Sequence, residues 1–509
     1  MSKLSFNLIY FTFFIFITFC NAQTLTSVVI DSTSQQPVPY ATVQINNKGV
    51  ITNEEGRFTL HLDKTIKPTD SLFISCMGYG TLAKPLNQFT EKQIVLATKA
   101  IDLNPVIVSN VNYSPEEILE IVVDNISKNY NLRHSKKRIF LRETYSSQVL
   151  KTDYELRKST IEELNKNFID KIIYQIPKNN SVYNEILGDL YGENDSNEQK
   201  LDLIKASELY DKSMMLDFEL LEEKFNKIIK DNVKTNSYFK IKSGLFGTKL
   251  DLNLFDGEVD STDVAALNKK LEEEKKKKEE RKESFSKSKR RTLGNLYENL
   301  PIFKDSDYNV LFKSSRYELI LEDFTYLGKS PVYIISFKPK RSDDYQGKLF
   351  ISSDDYALIR MDFENVKPLR DFKLLGISIN EYLAKGKIIF SKDENQKYHL
   401  SYFDFSKGIR GGFKRPLKII ELNKIVKGRN KQNELSVKLD ASYGNLNRIE
   451  LIVFNELPIS QSEFDSFKEN NTLLPTYMPN YDPEFWKGYN IIEPNKAIRA
   501  FRSIATANE

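Results

Sequence analysis

The sequence predicts a mainly β protein with α segments: a small N-terminal β-sandwich, a helical segment and then a large antiparallel β-meander. Short alternating apolar runs broken by turn residues fill residues 25–96, a capped amphipathic helix follows, and strong alternation returns from Tyr308 to Phe454. The predicted ranges are 1–22 for a signal peptide, 23–108 for the sandwich, 109–255 for a mixed helical region, 256–295 for a charged low-complexity linker, 296–460 for the meander and 461–509 for an irregular C-terminal clasp.

The N-terminus has the pattern of a secretory signal. Lys3 precedes an apolar run over residues 8–19 that is too short to span a bilayer comfortably, and the small residues Cys20 and Ala22 stand before Gln23. We therefore expect an exported chain that begins at Gln23. Two alternatives are an N-terminal membrane anchor and a lipoprotein signal ending at Cys20, although Phe19 argues against the latter.

Composition limits the classes of partner. After cleavage Cys76 is the only thiol, so no intramolecular disulfide can form and stability must come from burial. The 74 basic and 70 acidic residues leave a net charge of +4, which gives no argument for nucleic-acid binding.

Five short alternating apolar runs and the turns between them predict the first domain. Gly56 ends the turn that starts at Asn53 and is predicted to adopt a left-handed conformation. The predicted strands are Val28 to Ile30, Ala41 to Ile45, Arg57 to Leu62, Leu72 to Ser75 and Ile94 to Leu96.

These residues also resemble a known family, the carboxypeptidase regulatory-like domain of exported Gram-negative proteins. The matching segments are Val29-Ile30-Asp31, Pro37 to Val43, Thr52 to Leu60, Ile74 to Tyr79 and the tail Leu103 to Val108. Ser27 and Asn104 depart from the usual Gly and Glu of that family. The resemblance implies a transthyretin-like sandwich that has no catalytic role and that often precedes outer-membrane proteins.

The helical region starts with a clear signal. Ser114 and Glu117 form a capping box with Pro115 at the first helical position, which predicts a helix to about Tyr130. Residues 139–145 resemble an element that follows such a helix in longer family members. Residues 150–235 are mostly helical in pattern, most clearly from Met214 to Ile229, and the charged stretch 256–291 predicts a solvated helix or a disordered linker.

The meander is predicted as about eight long strands, by analogy with the curled half-barrel of periplasmic lipoprotein carriers. Turn signals occur at Gly328, Asp343-Asp344, Ser353 to Asp355, Asp393 to Asn395 and Gly411-Gly412. A half-barrel would present an apolar-ligand face, whereas a filled sheet would use the same aromatic side chains as a closed core. These residues are Tyr317, Tyr333, Phe337, Phe363 and Tyr402.

A search for catalytic chemistry gives no candidate. His61, His134 and His399 are isolated, and no metallopeptidase motif includes them, so each is interpreted as an ordinary strand or loop residue. Cys76 lies at the end of an apolar strand without a nearby base, and Asp354-Asp355 is interpreted as a turn. The sequence predicts no catalytic residue, metal site or cofactor.

The C-terminal segment 481–494 contains the only tryptophan and is bounded by prolines. Phe485, Trp486 and Tyr489 lie close together without helical or strand periodicity. We expect an irregular clasp that docks on the body of the protein; the alternative is an exposed peptide that docks a partner.

Together these features predict a non-catalytic cell-envelope protein, in the periplasm or peripherally associated with the outer membrane. The sandwich would be an interaction module, and the meander would handle an apolar ligand or support outer-membrane assembly. The alternatives are a surface module that binds glycan or protein, and a cryptic hydrolase.

Overall fold

The computed structural model describes residues 24–46, 48–99, 113–194, 198–234, 236–244, 246–251, 264–328, 330–341, 345–428, 430–469 and 472–504. The predicted signal peptide, including Cys20, and the tail at 103–108 lie outside these ranges. The chain is mainly β, as predicted. It forms two compact units, residues 1–100 with 483–495 and residues 101–482 with 496–509.

The first unit contains two sheets, with strand orders β4-β1-β7 and β3-β2-β5-β6. Val29, Leu60 and Ile94 from the first sheet and Val43 and Ile74 from the second are at most 1% exposed and form the core. The strands are β1 Thr24–Asp31, β2 Thr42–Ile45, β3 Lys48–Ile51, β4 Arg57–His61, β5 Ser71–Ser75, β6 Leu82–Pro85 and β7 Gln93–Leu96. The five predicted strands are present, whereas β3 and β6 were not predicted.

The turn before β4 confirms the prediction for Gly56, whose φ is +68°. The side-chain oxygen of Asn53 accepts hydrogen bonds from the amides of Glu55 and Arg57, both at 2.9 Å. The amide of Val29 donates to the carbonyl of Gly56 at 2.8 Å, so the turn is joined directly to β1.

The second unit is built on one 14-stranded sheet with the path β13-β14-β15-β16-β18-β19-β20-β8-β9-β10-β21; β17 pairs with β18, and β11 pairs with β12 and β19. The sheet does not close on itself. Its strands are β8 Ser135–Ser159, β9 Asn179–Gly192, β10 Lys200–Leu209, β11 Ser237–Ser243, β12 Phe246–Asp251, β13 Tyr317–Leu327, β14 Ser330–Pro339, β15 Tyr345–Ser352, β16 Leu358–Asn365, β17 Arg370–Leu374, β18 Ile377–Lys392, β19 Tyr398–Asn423, β20 Lys431–Pro458 and β21 Thr476–Tyr477.

Six α-helices accompany the sheet within the residues that the structure describes, and two of them were predicted closely. The helices are α1 Pro115–Asn129, α2 Lys166–Gln175, α3 Ser213–Asn232, α4 Val264–Glu298, α5 Gln461–Ser466 and α6 Lys496–Arg499. At α1, Ser114 and Glu117 make the predicted reciprocal capping box. No helix in the described part of the chain is both long and apolar enough to cross a membrane.

The strand register defines two faces of the large sheet. Leu141, Leu451, Phe403, Ile388 and Met361 stand opposite one another on successive strands, and all are buried; we call this side the apolar face. The neighbouring row points the other way and contains Glu185, Arg142, Glu450, Asp404, Lys387 and Asp362. We call this side the polar face.

Helices and a connecting segment cover the apolar face. In α4, Leu293 and Tyr297 are at most 1% exposed, and Lys289 pairs with Glu143 of β8. The hydroxyl of Tyr130, just after α1, donates to the carbonyl of Leu358 at 2.6 Å. The charged stretch was predicted to be a solvated helix or a disordered linker. It forms helix α4, but the C-terminal part of this helix is packed against the sheet rather than solvated.

Two expectations were wrong. Residues 109–255 are not mainly helical, because strands β8 to β12 lie there. The pair Gly411-Gly412 is not a turn but lies inside β19. A β-carbon at Gly411 would come within 2.4 Å of the Tyr443 ring, and one at Gly412 within 2.5 Å of Ser378 Oγ, so both glycines make room for side chains of adjacent strands.

Candidate binding site

The aromatic residues predicted to form an apolar-ligand face are buried. Their exposed fractions are 3% for Tyr317, 6% for Tyr333, 2% for Phe337, 4% for Phe363 and 1% for Tyr402. The register places the first four on the apolar face and Tyr402, opposite Ile389 and Ile452, on the polar face. The five side chains therefore do not form one open surface.

Ring contacts explain this burial. Tyr308, from the segment before β13, lies 4.3 Å from the centroid of Phe363 and 6.1 Å from that of Phe405. Tyr317 packs edge-on against Phe337 at 5.7 Å. Burial also raises the pKa of Tyr333 to about 12. The four aromatics on the apolar face therefore pack in a closed core, which was the alternative to a ligand face, and Tyr402 is buried on the polar face.

The C-terminal aromatics Phe485, Trp486 and Tyr489 belong to the first compact unit, although they are far in sequence from its other residues. Trp486 is 2% exposed, with the ring of Phe485 edge-on at 4.9 Å, and Tyr489 is half-buried. The amide of His61 donates to Asn490 Oδ1 at 2.7 Å. This packing favours the clasp interpretation over an exposed docking peptide.

The row on the polar face is a chain of ion pairs. Arg142 Nη2 lies 2.7 Å from Glu185 Oε1, and both side chains are at most 1% exposed. Arg448 makes two 2.8 Å hydrogen bonds to Asp404, which, with Glu450, hold its pKa above the ordinary value despite burial. Each buried charge has an opposite charge beside it, so the row is a structural network rather than an open site.

A second buried polar cluster lies where β8 meets the end of β20. Ser135 Oγ donates to Glu456 Oε1 at 2.6 Å and accepts from Lys137 Nζ at 2.6 Å. Burial lowers the pKa of Lys137 and of His399. Among the described residues, the hydroxyl of Tyr297 and Nδ1 of His399 are buried without a hydrogen-bond partner. His399 lies in strand β19, as a strand or loop residue was expected to, and its Nδ1 is buried.

An open cleft lies between α2 and α3. Asn165 caps α2 by accepting from the amide of Phe168 at 3.0 Å, but no residue of this amphipathic helix is fully buried. The cleft has a volume of about 630 Å³, within the range of small-ligand sites. It is lined by Phe168, Asp170, Lys171, Tyr174, Gln175, Leu221 and Lys224.

The net charge that the cleft offers a ligand depends on which of its charged side chains already have partners. Asp170 accepts from Lys166 Nζ at 2.6 Å and from the Tyr154 hydroxyl at 2.5 Å, and these bonds lower the pKa of its carboxyl. Lys171 and Lys224 have no ion-pair partner among the described side chains. Tyr174 is 91% exposed. The cleft therefore presents apolar and aromatic surface beside two cationic groups.

Sequence reasoning missed this cleft. The apolar spacing of Phe168, Ile169, Ile172 and Ile173 was a usable signal for α2. No comparable signal shows that α2 faces α3, because residues 176–212 between them contain two strands of the sheet.

One comparison with known families matches most of the first unit. Residues 25–108 match the model of the CarboxypepD_reg-like domain, as the sequence resemblance implied. No curated protein matches the chain.

Solved structures are only distantly similar. The complex of MucA and MucB from Pseudomonas aeruginosa aligns at 7% identity over 69% of this chain and 96% of that chain, with a TM-score of 0.15. MucB alone aligns at 8% over 69% and 94%, with a TM-score of 0.16. The outer membrane protein OprG from Pseudomonas aeruginosa aligns at 9% over 63% and 97%, with a TM-score of 0.10. TM-scores this low carry no argument.

Proposed function

We propose that the protein is a non-catalytic binding protein of the cell envelope that holds a segment of a protein partner in the α2–α3 cleft. The CarboxypepD_reg-like unit would be a separate interaction module, and the large sheet a rigid support. The observation that carries this proposal is the cleft itself, where Tyr174 is 91% exposed beside an apolar lining.

The lining indicates the chemistry of the partner. Phe168 and Leu221 offer apolar contacts, and Lys171 and Lys224 offer cationic contacts to the same occupant. A peptide segment with apolar and acidic side chains satisfies both, because it buries apolar area and pairs its carboxylates with the lysines. Asp170 adds no free negative charge, since Lys166 and Tyr154 already bind it.

The arrangement of titratable groups supports a non-catalytic role. The carboxylates of Glu143, Glu185 and Glu450 are buried in ion pairs away from the cleft. Asp170 is the one carboxylate among the cleft residues, and its bonds to Lys166 and Tyr154 hold it in the charged form. A general acid or base at neutral pH needs the opposite shift.

Site-specific photocrosslinking in the native envelope tests the proposal. A photoreactive phenylalanine analogue in place of Tyr174 should give one discrete protein adduct, and Lys171→Glu with Lys224→Glu should abolish it. The same analogue at Ile320, which is 61% exposed on β13, serves as the control.

Three outcomes would contradict a protein partner in the cleft. The first is that the analogue at position 174 gives no adduct. The second is that the analogue at position 320 gives the same adduct, and the third is that the adduct persists after Lys171 and Lys224 are both replaced by glutamate. If Tyr174 instead crosslinks to glycan, the surface glycan-binding alternative replaces this proposal.

A further inference from the structure

Strand β17 is an exposed edge of the large sheet. All five of its residues, Arg370 to Leu374, are exposed, and within the described chain β17 pairs only with β18. Phe372 is 37% and Leu374 is 56% exposed. Natural edge strands are usually shortened, charged or covered, because an open edge is a template for pairing with another strand. Here the edge also presents two large apolar side chains.

The apolar side chains of β17 continue rows that cross the sheet. Phe372 stands opposite Ile379, and Leu374 stands opposite Ile377. On the following strand, β19, Gly411 stands opposite Ile379 and Phe413 stands opposite Ile377. An added strand beside β17 would therefore extend an existing apolar surface as well as the hydrogen-bond ladder.

We propose that β17 pairs antiparallel with β17 of a second copy of the chain, with Phe372 opposite itself at a two-fold axis. This register places Asp371 of each copy opposite Lys373 of the other. The two side chains lie on the same side of the strand, so each pairing of the two strands contains two opposite-charge contacts.

Neighbouring registers lack this complementarity. A shift by one residue in one direction places Arg370 opposite Lys373, and in the other direction places Phe372 opposite Lys373. A shift by two places either Asp371 or Lys373 opposite itself, which sets like charges against each other. Among registers within two residues of it, only the proposed one makes the sequence Arg370-Asp371-Phe372-Lys373-Leu374 self-complementary. A symmetric homodimer requires such a self-complementary patch.

Charge reversal tests this pairing in the full mature chain. Sedimentation velocity across a concentration series should show a reversible monomer–dimer equilibrium. Lys373→Asp alone and Asp371→Lys alone should each weaken dimerisation at least tenfold, because each sets like charges opposite each other. The double variant Asp371→Lys with Lys373→Asp should restore it, and mixing the two single variants should give a heterodimer.

Lys367→Asp is the matched control, because this exposed lysine precedes β17 and lies outside the proposed register. It should dimerise like the wild type, and circular dichroism should show that every variant is folded. A wild type that is monomeric at all concentrations, or a dimer that neither reversal weakens, would overturn the proposal. A monomeric wild type that floats with phosphatidylglycerol vesicles would overturn the proposal in favour of membrane binding. This inference uses a different surface from the cleft and does not depend on the proposed function.

Discussion

Replacing Gly56 by valine should destabilise the first unit by about 1.5–3.5 kcal/mol. A left-handed backbone costs a residue with a β-carbon roughly 1–2 kcal/mol, and φ at this position is +68°. The added β-carbon would also lie 2.3 Å from the carbonyl oxygen of Val29. That oxygen accepts the 2.9 Å hydrogen bond from the amide of Val38. Relieving the clash would weaken this bond, which contributes about 0.5–1.5 kcal/mol.

Urea denaturation followed by tryptophan fluorescence measures this change. Trp486, the only tryptophan, belongs to the same compact unit as Gly56. With a slope of about 2 kcal/mol per molar urea, the midpoint should fall by about 1–2 M.

Two alanine variants separate the causes of the expected loss. Gly80→Ala should be close to neutral, because the nearest atom to its added β-carbon would be 3.8 Å away. Gly488→Ala tests backbone strain alone, since φ is +85° and nothing lies within 4 Å. If Gly56→Val unfolds at the wild-type midpoint, the assignment of a strained, crowded turn is incorrect.

Three further predictions concern buried side chains. Trp486 should emit as a buried indole and resist iodide quenching in the folded protein; free quenching would refute the clasp. Lys289→Met should cost about 3–5 kcal/mol by leaving Glu143 buried without its cation, and adding Glu143→Gln should recover part of the loss in a urea melt. Because burial lowers the pKa of His399 below its ordinary 6.5, the stability this residue contributes is present above pH 6.5 and is lost as the pH falls. A thermal melt of His399→Leu should depend less on pH between 7.5 and 5.5 than the wild type, and equal slopes would contradict this.

The features predicted correctly depend on local chemistry. The capping box of Ser114 and Glu117 and the left-handed Gly56 each need only neighbouring residues. The alternation of β13 to β16 was visible because one face of the sheet is apolar and the other is largely polar. In these segments, the residues of a single element or a single turn are enough to predict its structure.

Strand β9 shows why other elements were missed. Glu185 and Asp189 are buried there and suggest a solvated helix when read alone. Their burial depends on Arg142 and Arg138, which lie 43 and 51 residues away and bind them at 2.7 and 2.5 Å. Gly411 is a similar case, since the Tyr443 ring that requires a glycine there comes from the next strand. Such pairings are non-local, so neither periodicity nor propensity predicts them.

The burial of the predicted ligand face has a related cause. Alternation shows which strand residues share a face, but it does not show what covers that face. Tyr308 and α4 cover the apolar face, so residues such as Phe363 are buried in the core and are not available to a ligand. The cleft was in the segment with the weakest pattern, where Phe168 and Leu221 remain only half-buried after folding. Apolar area that folding leaves uncovered is what association can still bury, and this favours the α2–α3 cleft over the aromatic core as the place where a partner binds.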